Sequence, residues 1–551
     1  MFLAWIAFCI SCAWLIVHGF KHLSRRQKLL LPLSRIRRQR VEITVKNVHL
    51  RVQTDVFNTH HDALCAWFAN RKYMHTKQIL RYFYHIGSIM GVLGMLGVIA
   101  LLFRTTATLG SSVFYNIVDT GHPNNLAKRS FSEGEAGSAT NVYSNDGFAI
   151  KPIIPGVTVP ISHLPLIIFA LCISQILHEH GHAITAALYH IPIISSGISI
   201  ILVIPSAFVS LSSSYLEELS PLGRLQIVSA GCFHNLLLWS ALVATARTGI
   251  GPHAWSLLGY IDISNKGRVV VSIDSDSPLQ GHFTLGSLVT HLDDVPINSS
   301  VDEDIWSSFL LGSSNLPIAS DVGFCVNMQT LKDQSHQCCA RDYKETSQSS
   351  FSCFLLLPSP QETFCLDPIP ILTENRHRCS TVAECGAVET CVKLHDTEQL
   401  LRISLQRNPV LPSSINDEVI LWAGPKAEVW EQVKVGTLIP RFSFLPLGLP
   451  NTIKEFMNYL LLTNLSLYLL NLLPLPGLDG SQLLTVVLEL IFTGRSNLMD
   501  AGTYDIEDLS IHRRRFREST AQRLLRKIIS TSTIALLSLC ILLGLTKWIM
   551  G

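Results

Sequence analysis

The feature that most restricts what this chain can become is the spacing of its charges. Residues 82–103 carry none between Arg81 and Arg104, 225–246 none between Arg224 and Arg247, 456–478 none between Glu455 and Asp479, and 528–546 none between Lys527 and Lys547. Residues 1–20 are also uncharged, and from Pro152 to Leu216 the only Asp, Glu, Lys or Arg is Glu179. A run of about 20 such residues, wound as an α-helix, crosses the hydrocarbon layer of a bilayer, roughly 30 Å thick. Charged residues make up 15% of the 551, against about 25% in ordinary soluble domains. The expected fold is a polytopic α-helical membrane protein with about six to eight membrane segments, of which 190–211 and 480–493 are the least distinct. Its first partner is the lipid bilayer. A net charge of +2 gives no reason to expect nucleic acid.

Orientation follows from the basic runs. The first segment, MFLAWIAFCISCAWLIVHGF, has no basic residues ahead of it and does not read as a cleavable signal; KHLSRRQKLLLPLSRIRRQR follows it instead. That run and HRRRFRESTAQRLLRK (512–527) read as cytosolic by the positive-inside rule, which places the chain between 247 and 455 in a lumen. Cysteine usage agrees. Cys325, Cys338, Cys339, Cys353, Cys365, Cys379, Cys385 and Cys391 cluster in that stretch, an even number with the look of a disulfide framework in an oxidising compartment. A zinc-binding loop is the alternative, but no paired C-x-x-C spacing is present, and the pairing stays open. The sequon at Asn298 lies in the same region.

Within it, GRVVVSIDSDSPLQGHFTLGSLVTHLDDVPINSSVDE offers a β-branched strand, a Ser-Pro turn, a Gly-flanked segment, a second apolar strand and a helix start. This resembles part of a PDZ domain, a fold that takes an extended peptide as an added strand; an unrelated small β-rich module is the alternative. The expected order is a first membrane helix (1–20), a basic cytosolic segment (21–80), a membrane helix (81–104) and a polar lumenal loop (105–156). A first part of a membrane core (157–247) comes next, then a PDZ-like lumenal domain (250–320) and a cysteine-rich lumenal insert (321–450). A second part of the core (451–493), a basic cytosolic loop (494–527) and a last helix (528–547) complete the chain.

The chemistry lies in QILHEHGHAITAALYH, residues 175–190. His178-Glu179-His180-Gly181-His182 contains H-E-x-x-H. On a helix, positions i and i+4 share a face, so His178 and His182 reach one metal ion while Glu179, about 100° round, reaches a water beside it. Zinc lowers the pKa of such a water to near 7, and the glutamate takes its proton. A five-residue pattern also arises by chance, but here it contains the sole acid of residues 152–216, and ionisable residues at membrane depth are usually functional. His180 points about 200° from His178 and reads as a bystander.

Catalytic zinc commonly has three protein ligands and one open position. The best third candidate is Asp479 in NLLPLPGLDGSQLL, an acid delivered at the end of an uncharged run and surrounded by Pro474, Pro476, Gly477 and Gly480, which break the helix. A plain turn between two membrane helices would also give LDG.

Taken together, an intramembrane H-E-x-x-H, the distant N-x-x-P-x-P-x-x-D-G, a PDZ-like segment and a cysteine-rich lumenal insert resemble the site-2 protease family of intramembrane zinc metalloproteases, its animal, Golgi-type branch most of all. The resemblance implies one zinc ion per chain, with His178, His182 and Asp479 as metal ligands and Glu179 as the catalytic glutamate. AGCFHN matches the family's G-x-x-x-N, which sets Gly231 and Asn235 near the active site, with Asn235 a donor to the substrate carbonyl or its oxyanion. Asn471, Pro474 and Gly480 would position the substrate and Asp479. His180 stands where an apolar residue is more usual. The resemblance also implies a Golgi or endoplasmic reticulum membrane, an active site towards the cytosol, and membrane-spanning substrates already cut once by a lumenal protease. These would be membrane-bound transcription factor precursors of the sterol-regulatory and ER-stress types. A non-proteolytic zinc transporter or scaffold is the competing class; a transporter of this kind should show an inverted repeat, and none is detectable.

Overall fold

The computed structural model describes residues 11–12, 14–19, 41–119, 159–202, 204–274, 276–297, 304–312, 322–332, 337–339, 351–357, 362–374, 377–395, 398–407, 417–499 and 519–550. Most of the first uncharged segment, the basic run that follows it, most of the 105–156 loop, Asn298 and residues 500–518 lie outside them. The chain divides into two compact units, one made of Met1–Arg247 with Glu455–Gly551, the other of Thr248–Lys454.

The first unit is mainly helical. Its elements are α1 (Asn58–Ala69), α2 (Met74–Asp119), α3 (Leu164–Leu188), α4 (Pro221–Arg247), α5 (Leu449–Asn471, which starts in the second unit), α6 (Asp479–Met499) and α7 (Thr520–Met550). Four described helical stretches are long and apolar enough to cross a membrane: Arg71–Phe114, Ile161–Leu188, Pro221–Arg247 and Thr520–Lys547. Large apolar side chains such as Leu96, Phe103, Phe169 and Leu542 stand exposed on them, as lipid-facing side chains do. The run 456–478 falls on α5 and the turn after it, and 480–493 falls on α6; neither helix is among the four.

Small residues let these helices touch. A Cβ added at Gly87 would stand 2.6 Å from the Phe233 ring, at Gly91 3.0 Å from Ser229 Cβ, and at Gly94 2.6 Å from Leu472 Cδ1. One glycine face of α2 thus backs directly onto α4 and the end of α5. Close approach through small residues is how helices associate where water supplies no hydrophobic drive. Polar side chains add links: Tyr468 Oη donates to the Met90 carbonyl at 3.0 Å, and the Ser174 and Thr463 hydroxyls lie 3.1 Å apart.

The stretch 190–211 is not a membrane helix. Its sequence IISSGISII is rich in β-branched isoleucine, set on both faces among small residues, which favours a pleated strand. It forms β3 (Ile193–Ile201) and β4 (Ile204–Leu211) of a four-stranded antiparallel sheet, ordered β1-β2-β3-β4 with β1 (Val41–Lys46) and β2 (His49–Thr54). β4 is an edge. Gly197 is required in β3, because a Cβ there would collide with the Val52 carbonyl of β2.

The second unit is β-rich, and its first strand, β5 (Tyr260–Asp262), pairs with Leu438–Pro440. Strands β6 (Arg268–Ile273), β7 (Leu288–Leu292), β14 (Leu400–Gln406), β15 (Asp417–Ala423) and β16 (Val433–Gly436) form a sheet ordered β15-β14-β7-β6-β16, with β8 (Val295–Pro296) on β7. Residues 400–436, grouped from sequence with the cysteine-rich insert, therefore share a sheet with residues 268–296. Val270, Val289, Leu292, Ile297, Leu401, Ile403, Val429 and Val433 form its core. A second sheet, ordered β11-β10-β13-β9-β12, comes from the cysteine-rich stretch: β9 (Gly323–Asn327), β10 (Ser352–Leu357), β11 (Thr363–Leu366), β12 (Arg378–Cys379) and β13 (Glu389–Leu394). The eight cysteines are disulfide-bonded, as the oxidising-compartment reading expects, in the pairs Cys325–Cys385, Cys338–Cys365, Cys339–Cys353 and Cys379–Cys391. Each such link removes unfolded-state freedom worth about 2–4 kcal/mol, which suits a sheet whose own apolar core is small.

Candidate active site

The site is built from three helix segments of the first unit. α3 begins with Pro165 in its first turn, where a missing N–H costs nothing, and carries His178, Glu179 and His182 towards its C-terminal end. α4 packs along it. A Cβ at Gly181 would stand 2.5 Å from the Ala230 carbonyl oxygen, and one at Gly231 would stand 2.7 Å from His178 Nε2 and closer still to His182 Nε2. Glycine at both positions lets the α4 backbone press against the two imidazoles.

The third segment is the turn between α5 and α6. α5 ends at Asn471, and Pro474 and Pro476 prevent the helix from continuing. Gly477 takes φ +90°, open to glycine and strained for other residues. A Cβ at Gly480 would overlap the carbonyls of Leu472 and Leu473, so glycine there allows the turn to fold back on itself. The result sets Asp479 as the first residue of α6, where the helix dipole favours a carboxylate. Glu489, further along α6, pairs with Arg224 of α4 at 2.5 Å, with side chains 16% and 21% exposed. Arg224→Met should therefore lower stability by about 1–3 kcal/mol, between the values for exposed and buried pairs. A lower thermal midpoint in detergent, partly restored by adding Glu489→Leu, is the expected result.

These segments bring three donor atoms together across some 300 residues of sequence. His178 Nε2 lies 2.9 Å from Asp479 Oδ2, His182 Nε2 lies 3.3 Å from the same oxygen, and the two Nε2 atoms are 3.2 Å apart. Ligands held at about 2.0–2.1 Å in a tetrahedron stand about 3.3 Å apart, so the three atoms already have the spacing of a zinc site. The ring nitrogens further out agree. His182 Nδ1 lies 2.8 Å from the Ile227 carbonyl; as donor there, it leaves Nε2 with a free lone pair for a metal. His178 Nδ1 faces the amide of Asn235, with Nδ2 at 3.2 Å, while Asn235 Oδ1 is buried without a hydrogen-bond partner. Turning that amide by half a rotation puts Oδ1 on Nδ1–H and satisfies both groups, which is the arrangement a metal on Nε2 demands. The donor set fits zinc.

Glu179 points a different way from the two histidines. Its Oε2 accepts the backbone N–H of Val209, in edge strand β4, at 2.8 Å. That single bond fixes the carboxylate between the sheet edge and the donor cluster. His180 is exposed and bonded to the Ile176 carbonyl of its own helix at 2.9 Å. Of the sequence-selected residues, then, His178, His182, Asp479, Gly231 and Asn235 meet directly. Glu179 joins them through α3, while Asn471, Pro474 and Gly480 shape the turn before and after Asp479. Asn235 is 0% exposed and contacts His178.

Two participants were not selected from sequence. The Val209 amide carries no side-chain signature. Cys232 does: it stands one helical turn from Asn235, at i and i+3, on the face of α4 that meets the cluster. Its Sγ lies 3.8 Å from Asp479 Oδ2.

Residues 166–500 match peptidase family M50. The chain is also similar to a protein of Arabidopsis thaliana described as a membrane-bound transcription factor site-2 protease homolog, with 21% identity over 381 residues, 61% of this chain and 72% of that one.

Proposed function

Because the chain belongs to peptidase family M50, and so is an intramembrane metalloprotease, we propose that it hydrolyses peptide bonds within transmembrane segments at a zinc centre held by His178, His182 and Asp479. The observation that carries this reading is the convergence of those three donor atoms at 2.9–3.3 Å, with Glu179 beside them.

When bound, zinc supplies a Lewis acid that polarises the scissile carbonyl and acidifies a water. Glu179 is the base: one carboxylate oxygen is held by the Val209 N–H, and the other takes the proton of the attacking water and returns it to the leaving amide nitrogen. Asn235 keeps the His178 ring in register through Nδ1, and the Ile227 carbonyl does the same for His182. Pro474 and Gly480 hold the turn that presents Asp479, and Asn471 closes α5 ahead of it.

A transmembrane helix hides its backbone in internal hydrogen bonds, so the substrate must unwind before Glu179 and the metal reach it. β4 supports a route. Val209 turns its N–H away from β3, and by strand alternation Ala207 turns its amide and carbonyl the same way. An extended substrate segment added along this edge would exchange its helical hydrogen bonds for ladder bonds beside Glu179.

The Arabidopsis relative is described as a membrane-bound transcription factor site-2 protease homolog, which supports membrane-bound transcription factor precursors as the substrate class; we take these to include sterol-regulatory and ER-stress types, already cut once by a lumenal protease. The active site then faces the cytosolic half of a Golgi or endoplasmic reticulum membrane, and the second cut frees a cytosolic domain. The PDZ-like part, expected from sequence at 250–320, is taken to include residues 400–436 as well, because they share its sheet. To test the reading, the purified chain is reconstituted in liposomes with a tagged transmembrane helix. Cleavage inside the apolar segment should stop on chelation and return with zinc, and a precursor with its lumenal domain intact should be cut poorly. Cleavage that continues in the metal-free protein would overturn it.

A further inference from the structure

Cys232 belongs to the same corner of the molecule as the three donors and has no part in the reaction above. Its side chain is 0% exposed. A ring nitrogen of His178, the Cys232 sulfur and an Asp479 oxygen all lie within 4.8 Å of one another, and the sulfur is 3.8 Å from Asp479 Oδ2. Sulfur and oxygen bound to one zinc ion, at about 2.3 and 2.1 Å, stand about 3.6 Å apart in a tetrahedron. The thiol therefore sits at a ligand's distance from the carboxylate.

A second observation, independent of the thiol, points to a cation at the same place. Asn235, one turn further along α4, is wholly buried with Oδ1 unpartnered and its amide against His178 Nδ1. That orphaned oxygen finds its donor when a metal on Nε2 fixes the proton at Nδ1. The face of α4 that carries Cys232 is thus already arranged around a metal-bound His178.

We propose that Cys232 is a fourth protein donor to this centre, closing it at rest. Catalytic zinc sites keep one position open, whereas sites with four protein ligands are closed and structural. With His178, His182, Asp479 and Cys232 all bound, no position remains for water. On coordination the thiol gives its proton to solvent and one water leaves the metal; on opening, the sulfur takes a proton back and water returns. The centre is then inactive until the sulfur is displaced, and exclusion of water until substrate arrives becomes a property of the metal site itself. A thiolate donor also favours soft metals.

The proposal rests on the zinc reading of the three other ligands, and cobalt(II) separates the two. The metal-free full-length chain, in detergent with reductant, is loaded with cobalt. Visible ligand-field bands report a tetrahedral metal at the site. A near-ultraviolet thiolate-to-cobalt charge-transfer band reports sulfur. Wild type should show both. Cys232→Ser should keep the ligand-field bands, lose the charge-transfer band and bind cobalt at least about tenfold more weakly; Cys232→Ala gives the same reading if the serine variant does not fold. Ligand-field bands without charge transfer in wild type, or a charge-transfer band that survives in both variants, would overturn the role of Cys232 alone. Absence of cobalt binding in wild type would overturn the metal centre and this proposal with it.

Discussion

Glu179→Gln should leave the protein folded and metal-loaded and reduce cleavage of a transmembrane substrate by about 10²–10⁴-fold, the range general-base catalysis supplies. Glutamine keeps the size of the side chain, and its amide oxygen still accepts the Val209 N–H that holds Glu179 Oε2 at 2.8 Å. The sheet edge and α3 therefore stay where they are. What is lost is the second carboxylate oxygen as a proton acceptor, and with it the means to activate water and protonate the leaving nitrogen. Because the glutamate is not among the three converging donors, zinc content should equal that of wild type. Single-turnover cleavage in detergent, beside metal analysis of the same preparation, separates loss of chemistry from loss of the site. Full activity in Glu179→Gln would remove Glu179 from the mechanism.

Gly231→Ala should be nearly as damaging, through geometry alone. One methyl at this position would lie 2.7 Å from His178 Nε2 and closer to His182 Nε2, the two atoms expected to face the metal. Neither neighbour can yield. His182 is held by the Ile227 carbonyl and His178 by Asn235, and α4 is pressed to α3 through Gly181. Overpacking of this kind costs about 1–3 kcal/mol. Here it falls on two ligands at once, so zinc affinity should drop at least about tenfold and cleavage with it. Gly97→Ala is the control, since nothing lies within 4 Å of a Cβ there; it should bind zinc and cleave like wild type. Equal zinc affinity in Gly231→Ala would mean that the α4 face does not touch the ligands.

Why these residues were readable, and others not, has a physical basis. The H-E-x-x-H pair is legible because helical spacing alone brings His178 and His182 to one face. Asp479 is legible because an acid at the end of an uncharged run has few other reasons to be there. The glycine and proline pattern around it foretells the sharp turn that Gly477 and Gly480 make. β3 and β4 were obscured because a stretch apolar on both faces hides the period of two that marks a strand, and length alone suggested a membrane helix. The edge on which Glu179 leans is made of backbone groups, which leave no trace in residue type. Cys232 was visible in AGCFHN but indistinct from a packing cysteine until folding set its sulfur against Asp479. Disulfides were foreseeable from the number of cysteines and their clustering, whereas their pairing was not, because strand register misleads: Cys325 faces Cys391 and Cys353 faces Cys365 across neighbouring strands, yet Cys325 bonds Cys385 and Cys353 bonds Cys339.

The central claim is that an aspartate some 300 residues downstream completes a metal site begun by two histidines on α3. Metal analysis of the purified chain tests it most directly. Wild type should contain one zinc ion per molecule, and Asp479→Ala should lose it while keeping its fold, as judged by helix content and by retention of the disulfide pairs in the second unit. Asp479→Asn, which preserves shape but not charge, should hold zinc only weakly. Stoichiometric zinc retained in Asp479→Ala would contradict the account, because His178 and His182 would then be binding metal without the residue that folding brings within 3.3 Å of both.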